Sequence, residues 1–274
     1  MKNNSVWGLH AKPSGAVKYL LAALPFFILL ITYLVVSDIR LEANPSDKLL
    51  PSFASMWDAF YGAAFEPNRR TGEYLLWTDT SSSLQRLFIG LTLAAVTALF
   101  VGLNMGVFPG LAALGLPFVT TVSMIPPLAV LPILFITFGV EETGKIALIF
   151  FGTFPLITRD VYMAVKMISS EQITKALTLG ASQIAIAYKV VLPQIMPRLL
   201  SSLRLSLGAA WLFLIAAEAI AASEGLGYRI FLVRRYLSMD LIIPYVAWIT
   251  LLGFCIDYAL KLITTRMYPW YNAK

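Results

Sequence analysis

The sequence predicts an all-α, polytopic membrane protein with about six transmembrane helices. Of its 274 residues, 58% are hydrophobic and only 13% are charged, about half the share that soluble domains carry. The sequence contains six separate apolar runs, and each has a length close to that of a helix that crosses a bilayer, about 20 residues. A chain with so little polar surface cannot face water on all sides, so lipid is expected to surround it.

The six apolar runs are the predicted spans, at residues 17–36, 84–107, 116–138, 146–165, 199–222 and 242–263. The third contains Pro126, Pro127 and Pro132, and the fourth contains Pro155. Proline removes a backbone hydrogen bond that lipid cannot replace, so other helices, side chains or water must satisfy the freed groups. We therefore expect the third span to pack inside the bundle or to line a cavity.

The second span contains two glycines one helical turn apart, Gly102 and Gly106. A pair of small residues at this spacing lets two membrane helices approach closely. In a glycine-rich span the pair can equally arise by chance, so the sequence leaves both interpretations open.

Charged residues are distributed unevenly between the two sides of these spans. If residues 1–16 form a cytoplasmic tail, the inner segments contain many lysines and arginines but only one clear acidic residue, Glu171. Cytoplasmic segments of membrane proteins carry an excess of basic residues, so the bias supports this orientation. It also explains the formal net charge of +6 without a nucleic-acid partner, and none is predicted.

A long polar stretch at about residues 44–80 connects the first two spans on the outer, or periplasmic, side. Apolar residues recur within it at helical spacing, at Phe53, Met56, Trp57, Phe60 and Tyr61. This pattern predicts an amphipathic helix. Such a helix can lie at the outer membrane–water interface or pack on its own bundle, and the sequence does not choose between these positions.

The chain lacks the residues from which most enzyme sites are built. Its one histidine, His10, lies in the polar tail, and its one cysteine, Cys255, lies inside an apolar run. It therefore has no cysteine metal site and no intrachain disulfide, and it has no G-x-x-x-x-G-K-[ST] phosphate loop. We predict a chain that is not an enzyme, binds no cofactor itself and cannot hydrolyse ATP.

The most informative segment is the polar, basic loop at about residues 166–198, which the orientation places in the cytoplasm. Gly180 can end a short helix there by adopting a positive φ. The next helix is then expected to run until Pro193 stops it. The predicted product is a helix–turn–helix at the membrane surface. Its candidate functional residues are Lys175, Ala176, Gly180, Ala181, Ser182, Leu192 and Pro193.

This loop resembles the cytoplasmic loop of binding-protein-dependent ABC importer permeases, whose pattern is roughly E-A-A-x3-G-x9-I-x-L-P. The matching positions are Ala176, Gly180, Leu192 and Pro193, with Val190 at the isoleucine position. Two positions depart from the pattern, because Thr174 replaces the glutamate and Lys175 replaces the first alanine. The resemblance implies a type I ABC importer permease fold for about residues 20–270 and a location in the bacterial inner membrane.

Other segments are similar to the nitrate/sulfonate/taurine group of these permeases. They are residues 125–129 with Phe138 and Gly139, and Ala217 and Glu218 with residues 225–228. Residues 44–51 and 231–236 look similar to the urea-carboxylase-associated, guanidine-type branch. The resemblance implies import of a small polar solute, either nitrate-, sulfonate- or taurine-like or guanidine- or urea-like. Our hypothesis is a small nitrogen-rich compound.

The resemblance also implies partners. ABC ATPase subunits, which bind ATP and Mg²⁺, would dock on a short coupling helix around residues 175–188. A periplasmic solute-binding protein would deliver the solute, and a second permease copy, forming a homodimer, would complete the pathway. The alternative is a secondary transporter or a channel that is not driven by ATP. A secondary transporter predicts inverted repeats, and the sequence shows no clear one.

Ionisable residues inside spans are candidates for the translocation pathway, because each costs roughly 2.5–3.5 kcal/mol to insert. Glu218 is expected in the pathway or its outer gate, or else as a structural partner of Arg229. Arg159 and Asp160 are adjacent and so point to different sides of a helix. An anionic solute favours Arg159 in the pathway, whereas a cationic solute favours Asp160 and Glu218.

Two further expectations concern the membrane-embedded part. Asp257 and Lys261 stand four residues apart, so a salt bridge along one helix is predicted. The remaining candidates for the pathway are Ser123, Met124 and Trp211.

Overall fold

The structure is a computed structural model that describes residues 14–271 except Ser46 and Arg70, so His10 and nearly all of the predicted cytoplasmic tail lie outside the described residues. The described part is helical and contains no β-strand, which confirms the all-α prediction. Its α-helices are α1 (Gly15–Ala43), α2 (Phe53–Phe65), α3 (Leu75–Val107), α4 (Pro109–Met124), α5 (Leu131–Phe138), α6 (Glu142–Lys166), α7 (Ser170–Thr178), α8 (Gln183–Ala185), α9 (Leu192–Ala221), α10 (Leu226–Arg234) and α11 (Met239–Met267). A π-helical segment (Ile186–Val191) joins α8 to α9, and 3-10 turns cover Pro127–Val130 and Pro269–Tyr271.

Five of the described helices are long and apolar enough to cross a membrane: α1, α3, α6, the continuous helix Gln183–Ala221, and α11. The third predicted span is instead a broken pair, Pro109–Met124 and Pro127–Phe138, whose two parts meet at 87°. The prediction of about six spans is therefore confirmed when the bent pair counts as one.

Contacts between helix ends show that the broken pair crosses once. Arg86, in the first half of α3, donates from Nε to Oε2 of Glu142 at the start of α6, at 2.6 Å. The starts of α3 and α6 therefore lie on the same side of the membrane. Because α3 crosses before α6 begins, α4 and α5 together must return the chain to the first side.

The third span is broken as predicted, and it packs on the bundle with one side only. Leu131, Leu134 and Phe135 belong to the main hydrophobic cluster, whereas the opposite side is exposed. Met124 and Ile136, on either side of the break, are 75% and 85% exposed. The bend occurs where Pro126 follows Ile125, because a proline disfavours helical backbone at the preceding residue. The alternative expectation, that this span lines a cavity, stays a prediction.

Helices α3 and α6 form the closest-packed pair. A Cβ placed on Gly106 would lie 2.5 Å from Cβ of Val165, and one on Gly102 would lie 2.8 Å from the carbonyl oxygen of Thr158. Such distances leave no room for any side chain. Of the two interpretations of this glycine pair, the structure therefore supports close helix approach.

The amphipathic helix α2 packs on its own bundle. Ala63 and Ala64 belong to the main hydrophobic cluster, and the ring of Phe60 lies 6.0 Å from that of Trp248 on α11. The carbonyl of Ala64 also accepts a hydrogen bond from the indole of Trp77 at 3.0 Å. Of the two positions considered for this helix, packing on the bundle is the one observed.

Among the described residues, the hydrogen bonds between helix α1 and the following segment come from the C-terminal half of this helix. Tyr33 donates to the carbonyl of Pro51 at 2.7 Å, and Ser37 donates to that of Leu50 at 2.9 Å. Of its most apolar 18-residue window, only 6% is buried. The rest of this helix presents apolar side chains outward.

Candidate functional site

The loop that was predicted to be cytoplasmic begins with α7, and the end of this helix has the geometry of a Schellman motif. The N–H of Gly180 donates to the carbonyl of Leu177 at 2.9 Å, and the N–H of Ala181 donates to that of Ala176 at 3.0 Å. This pair of bonds requires a left-handed residue between the last helical turn and the chain that follows. Gly180 supplies it with φ of +82°, as the sequence predicted.

The second helix of the loop starts at a hydroxyl cap. Oγ of Ser182 accepts a hydrogen bond from the N–H of Ala185 at 3.2 Å, which satisfies one of the free N–H groups of the new helix. Ala176, Gly180, Ala181 and Ser182 thus form one rigid turn. The spacing of small and hydroxyl residues in the sequence reflects these backbone requirements.

The prediction that Pro193 stops this helix is wrong. Pro193 is the second residue of α9, and the helix continues to Ala221. The π-helical segment immediately before Leu192 shifts the hydrogen-bond register, so a residue without an N–H fits into the continuing helix. The side chain of Gln194 also donates to the carbonyl of Val190 at 2.9 Å.

The loop exposes apolar side chains. Leu179 is 88% exposed and Ile184 is 67% exposed, with Leu177 half-exposed beside them. Lys175 and Pro193 are also exposed. Apolar side chains that cluster in an exposed loop indicate a site of protein contact.

A buried ion network occupies the other end of the bundle. Arg86, which is 2% exposed, donates to Oε1 of Glu218 at 2.7 Å, and Glu218 is fully buried. Arg86 also holds both carboxylate oxygens of Glu142, at 2.6 and 2.8 Å. Lys145 donates to the same Glu142 at 2.8 Å. The network joins the ends of α3, α6 and α9 that lie away from the loop containing Gly180.

The same network caps the start of α10. The N–H groups of Gly225, Leu226 and Gly227 donate to Asp79 at 2.9 Å, Ser83 at 2.8 Å and Glu218 at 2.8 Å respectively. The first N–H groups of a helix have no partner within it, and carboxylates at this end are stabilised by the helix dipole. The two segments around Glu218 and residues 225–228 are therefore one physical unit.

Gly225 is confined by this network. Its φ is +126°, and a Cβ there would lie 2.6 Å from Cδ of Glu218. Asp79 completes the outer part by accepting from Nε of Arg229 at 2.7 Å and from the hydroxyl of Tyr245 at 3.2 Å.

Sequence reasoning missed the roles of Asp79 and Arg86. The predicted second span starts at residue 84 and leaves Asp79 in the polar outer stretch, whereas α3 starts at Leu75. The signal was present, since Asp79, Ser83 and Arg86 are spaced four and three residues apart and so share one face of a helix.

The ionisable candidates have different partners from those expected. Glu218 pairs with Arg86, not with Arg229. Asp257 pairs with Arg204 of α9 through two bonds of 2.8 Å, not with Lys261. In both cases the carboxylate is bound by a guanidinium from another helix, and Arg204 binds Asp257 with two parallel bonds that a lysine cannot form.

Arg159 and Asp160 are adjacent on α6, and their side chains face different surroundings, as predicted. Asp160 accepts from both Nε and Nη2 of Arg198, at 3.1 and 2.7 Å, and from the hydroxyl of Ser202. Arg159 is exposed and forms no salt bridge within the described residues.

The last three pathway candidates lie in different environments. Ser123 is half-buried and donates to the carbonyl of Thr120 at 2.7 Å, whereas Met124 is exposed at the break of the third span. Trp211 is buried, and its indole N–H has no hydrogen-bond partner in the described part of the chain. Their place in a pathway stays a prediction.

The helical membrane fold and its helix–turn–helix loop agree with a membrane-spanning transport subunit. The family described as "Binding-protein-dependent transport system inner membrane component" matches residues 90–269, and the chain belongs to this family. It is 34% identical over 197 residues to the taurine transport system permease protein TauC of Escherichia coli (strain K12), covering 72% of each chain. It is 27% identical over 248 residues to the nitrate import permease protein NrtB of Leptolyngbya laminosa, covering 90% of this chain and 87% of that one.

A solved structure has the same fold. A chain of the methionine ABC transporter MetNI, in an inward-facing form, superposes with a TM-score of 0.63 at 21% identity, over 73% of this chain and 99% of that chain. The present chain is therefore an ABC importer permease with the type I fold, located in the inner membrane. It is a transport subunit in an ATP-driven importer, and the ATPase is a separate subunit in related transporters.

Proposed function

We propose that this permease is driven through the rigid turn formed by Ala176, Gly180, Ala181 and Ser182. The ATPase subunits, which bind ATP and Mg²⁺, dock on this turn. The observation that carries the proposal is the exposed position of Leu179 and Ile184 on a turn whose backbone is locked by the Schellman bonds. A rigid turn can transmit a displacement, and its apolar side chains can bury against a partner.

A variant at Gly180 tests this role. Because Gly180 has φ of +82° and open space around it, Gly180→Val introduces backbone strain of roughly 1–2 kcal/mol without a clash. That energy corresponds to roughly a 5- to 30-fold decrease in the fraction of molecules whose loop keeps the geometry needed for docking. We expect transport and coupled ATP hydrolysis to fall by such a factor, while the amount of inserted permease is unchanged. Solute uptake and ATPase activity in proteoliposomes measure both.

The matched control is Gly72→Val, on the opposite side of the membrane. Gly72 also has a positive φ, +75°, and open space where a Cβ would stand. It should carry the same strain and leave coupling intact. Unchanged transport in Gly180→Val, or an equal loss in both variants, would reject the role proposed for the loop.

The broken third span supports pairing with a second copy of this chain. Irregular backbone at membrane depth is tolerated only where it is covered by protein or lines a water-filled cavity. Ile125 and Pro126 form such a break and are exposed in the single chain. In a homodimer of permeases, the second copy would cover part of this break with protein, and the pathway between the two copies would supply the water-filled cavity.

The charges favour an anionic solute, such as a sulfonate or nitrate. Asp160 and Glu218, which would favour a cation, are neutralised by Arg198 and Arg86. Arg159 is exposed on α6 and forms no salt bridge within the described residues. It is therefore available for an anion. TauC and NrtB, the relatives named above, are described as permeases for taurine and nitrate.

We expect Arg159→Gln to raise the solute concentration for half-maximal transport about tenfold, because a hydrogen bond to a charged group contributes about 1.5–3 kcal/mol. Arg159→Lys should retain most of the affinity, and Arg266→Gln, at the exposed end of α11, should have no effect. Calorimetry on the transporter's solute-binding protein provides the second measurement. Tight binding of guanidine or urea with no response to taurine or nitrate would reject the anion and support the nitrogen-rich solute.

A further inference from the structure

A cavity of about 540 Å³ lies where α6 and α11 end and α9 begins, on the side of the loop that contains Gly180. We call it the α6–α9 cavity. Its walls come from the end of α6, the start of α7, the first turns of α9 and the 3-10 turn after α11. Its polar lining residues are Ser169, Gln172, Gln194, Arg198, Trp270 and Tyr271. The buried network around Arg86 lies at the opposite ends of α6 and α9, so the two sites are separate.

Arg198 is the charged residue of the cavity lining. A guanidinium has five N–H groups, and two of those on Arg198 bind Asp160 at 2.7 and 3.1 Å. The hydroxyl of Tyr271 also interacts with this guanidinium. The side chain of Arg198 remains 37% exposed, so an anion can reach the N–H groups that Asp160 does not bind. Because Asp160 already orients the guanidinium, little side-chain freedom is lost when it binds a second partner.

The helix ends around the cavity carry an excess of positive charge. Residues 160–172, 194–198 and 266–271 contain Lys166, Arg198 and Arg266 against Asp160 and Glu171. Lys166 and Arg266 stand in the last turns of α6 and α11, and both are exposed. The cavity is therefore a place where an anion is attracted.

Aromatic rings border the cavity at the level where the helices leave the membrane. The ring of Trp270 lies 6.2 Å from that of Tyr268 and 6.1 Å from that of Tyr271, edge-on in both cases. Trp270 is 53% exposed, and Met167 on the α6 side of the cavity is 69% exposed. Tryptophan and tyrosine are enriched at the depth of the lipid headgroups. The cavity thus combines a polar end with apolar surface at headgroup depth.

We propose that the α6–α9 cavity binds the phosphate group of an anionic phospholipid, such as phosphatidylglycerol. Arg198 and Gln172 donate to the phosphate oxygens, and the apolar wall formed by Met167 and Ile168 lies along the first part of an acyl chain. Basic pockets between membrane helices bind the headgroups of anionic lipids in this way. The bound lipid would connect the end of α6 to the start of α7. Only this consequence, a lipid requirement for coupling through the loop, rests on the proposed function.

The first test counts lipids bound to the detergent-solubilised permease–ATPase complex by native mass spectrometry, during titration with phosphatidylglycerol or phosphatidylcholine. Gln172 is exposed, so Gln172→Glu adds a carboxylate beside the phosphate without disturbing the core. It should weaken phosphatidylglycerol binding about tenfold, whereas Gln172→Lys should strengthen it. Gln183→Glu adds the same charge in the same loop but lines a different cavity, and it should change nothing. Equal affinity for the two lipids, or unchanged binding in Gln172→Glu, would overturn the proposal.

The second test removes the guanidinium. Arg198→Gln alone leaves Asp160 without its partner, so it is combined with Asp160→Asn, which removes both charges of the pair. The double variant should bind phosphatidylglycerol about tenfold more weakly, the loss of hydrogen bonds from a charged donor. If it binds this lipid as tightly as the original chain does, Arg198 is not the phosphate ligand and the proposal fails. If the double variant does not fold, the Gln172 variants decide.

Soluble anions identify the source of the phosphate. A large excess of inorganic phosphate should not displace phosphatidylglycerol, because free phosphate lacks the acyl chains that contact the apolar wall. Displacement by inorganic phosphate would mean that the ligand is a free anion, and displacement by taurine or nitrate would make the cavity part of the solute pathway. Either result would reject the lipid. Binding is counted without nucleotide, so failure of the coupling role at Gly180 leaves this measurement unaffected.

Discussion

Arg86→Met is expected to destabilise the folded permease by about 3–5 kcal/mol, the range for breaking one side of a buried ion pair. Arg86 is the cation that joins Glu218 to Glu142. Without it, Glu218 remains fully buried with only the hydroxyl of Ser83 and the N–H of Gly227 as donors. A buried carboxylate without a counter-charge is far less stable than one in water.

An SDS titration of the purified permease measures this loss, and Arg40→Met provides the control. Arg40 also pairs with an aspartate, and a side-chain hydrogen bond from it lowers the pKa of the Asp47 carboxyl. Its own side chain is 43% exposed, so water screens the pair, and its loss should change stability far less than the loss of Arg86. If both variants lost the same small amount, the outer network would have to be accessible to water.

Gly106→Leu is expected to lower stability by about 3 kcal/mol, at the upper end of the range for overpacking. A Cβ at this position already meets the Cβ of Val165 at 2.5 Å, so the larger side chain must push α3 away from α6. Helix α3 also ends beside the loop that contains Gly180, since Val107 at the end of α3 and Ile173 on α7 line one cavity. Folded yield and the same titration should report the loss.

Two variants show whether the loss comes from helix spacing. Gly110→Leu adds the same side chain where nothing lies within 4 Å of a Cβ, and it should fold normally. Gly106→Ala should lose less than Gly106→Leu, and a second change, Val165→Ala, should restore part of that loss. Absence of any rescue would mean that Gly106 matters for a reason other than its contact with Val165.

The helical class and the break in the third span followed directly from the sequence. Length and hydrophobicity decide whether a segment can cross a bilayer, and both can be counted along the chain. The position of Gly180 was equally readable, because a Schellman turn depends on the backbone of six consecutive residues. Such local requirements leave their signal in adjacent residues.

The predictions that were wrong concern Pro193 and the partners of Glu218 and Asp257. Pro193 was expected to end a helix, but the preceding π-helical segment adjusts the backbone so that the helix continues. Spacing suggested Lys261 for Asp257, whereas the observed partner is Arg204 of another helix. A salt bridge between helices depends on how those helices are placed, and no spacing along one helix encodes that.

By itself the sequence determined that this chain is a helical membrane protein with a turn centred on Gly180, because these features arise from composition and from contacts between near neighbours. Only the tertiary structure decided that Asp79, Arg86 and Glu218 form one buried network that binds the first residues of α10. Arg86 and Glu218 are separated by 132 positions in the chain. Their contact exists because α3, α6 and α9 pack closely enough to exclude water, and in that environment each buried charge requires a partner.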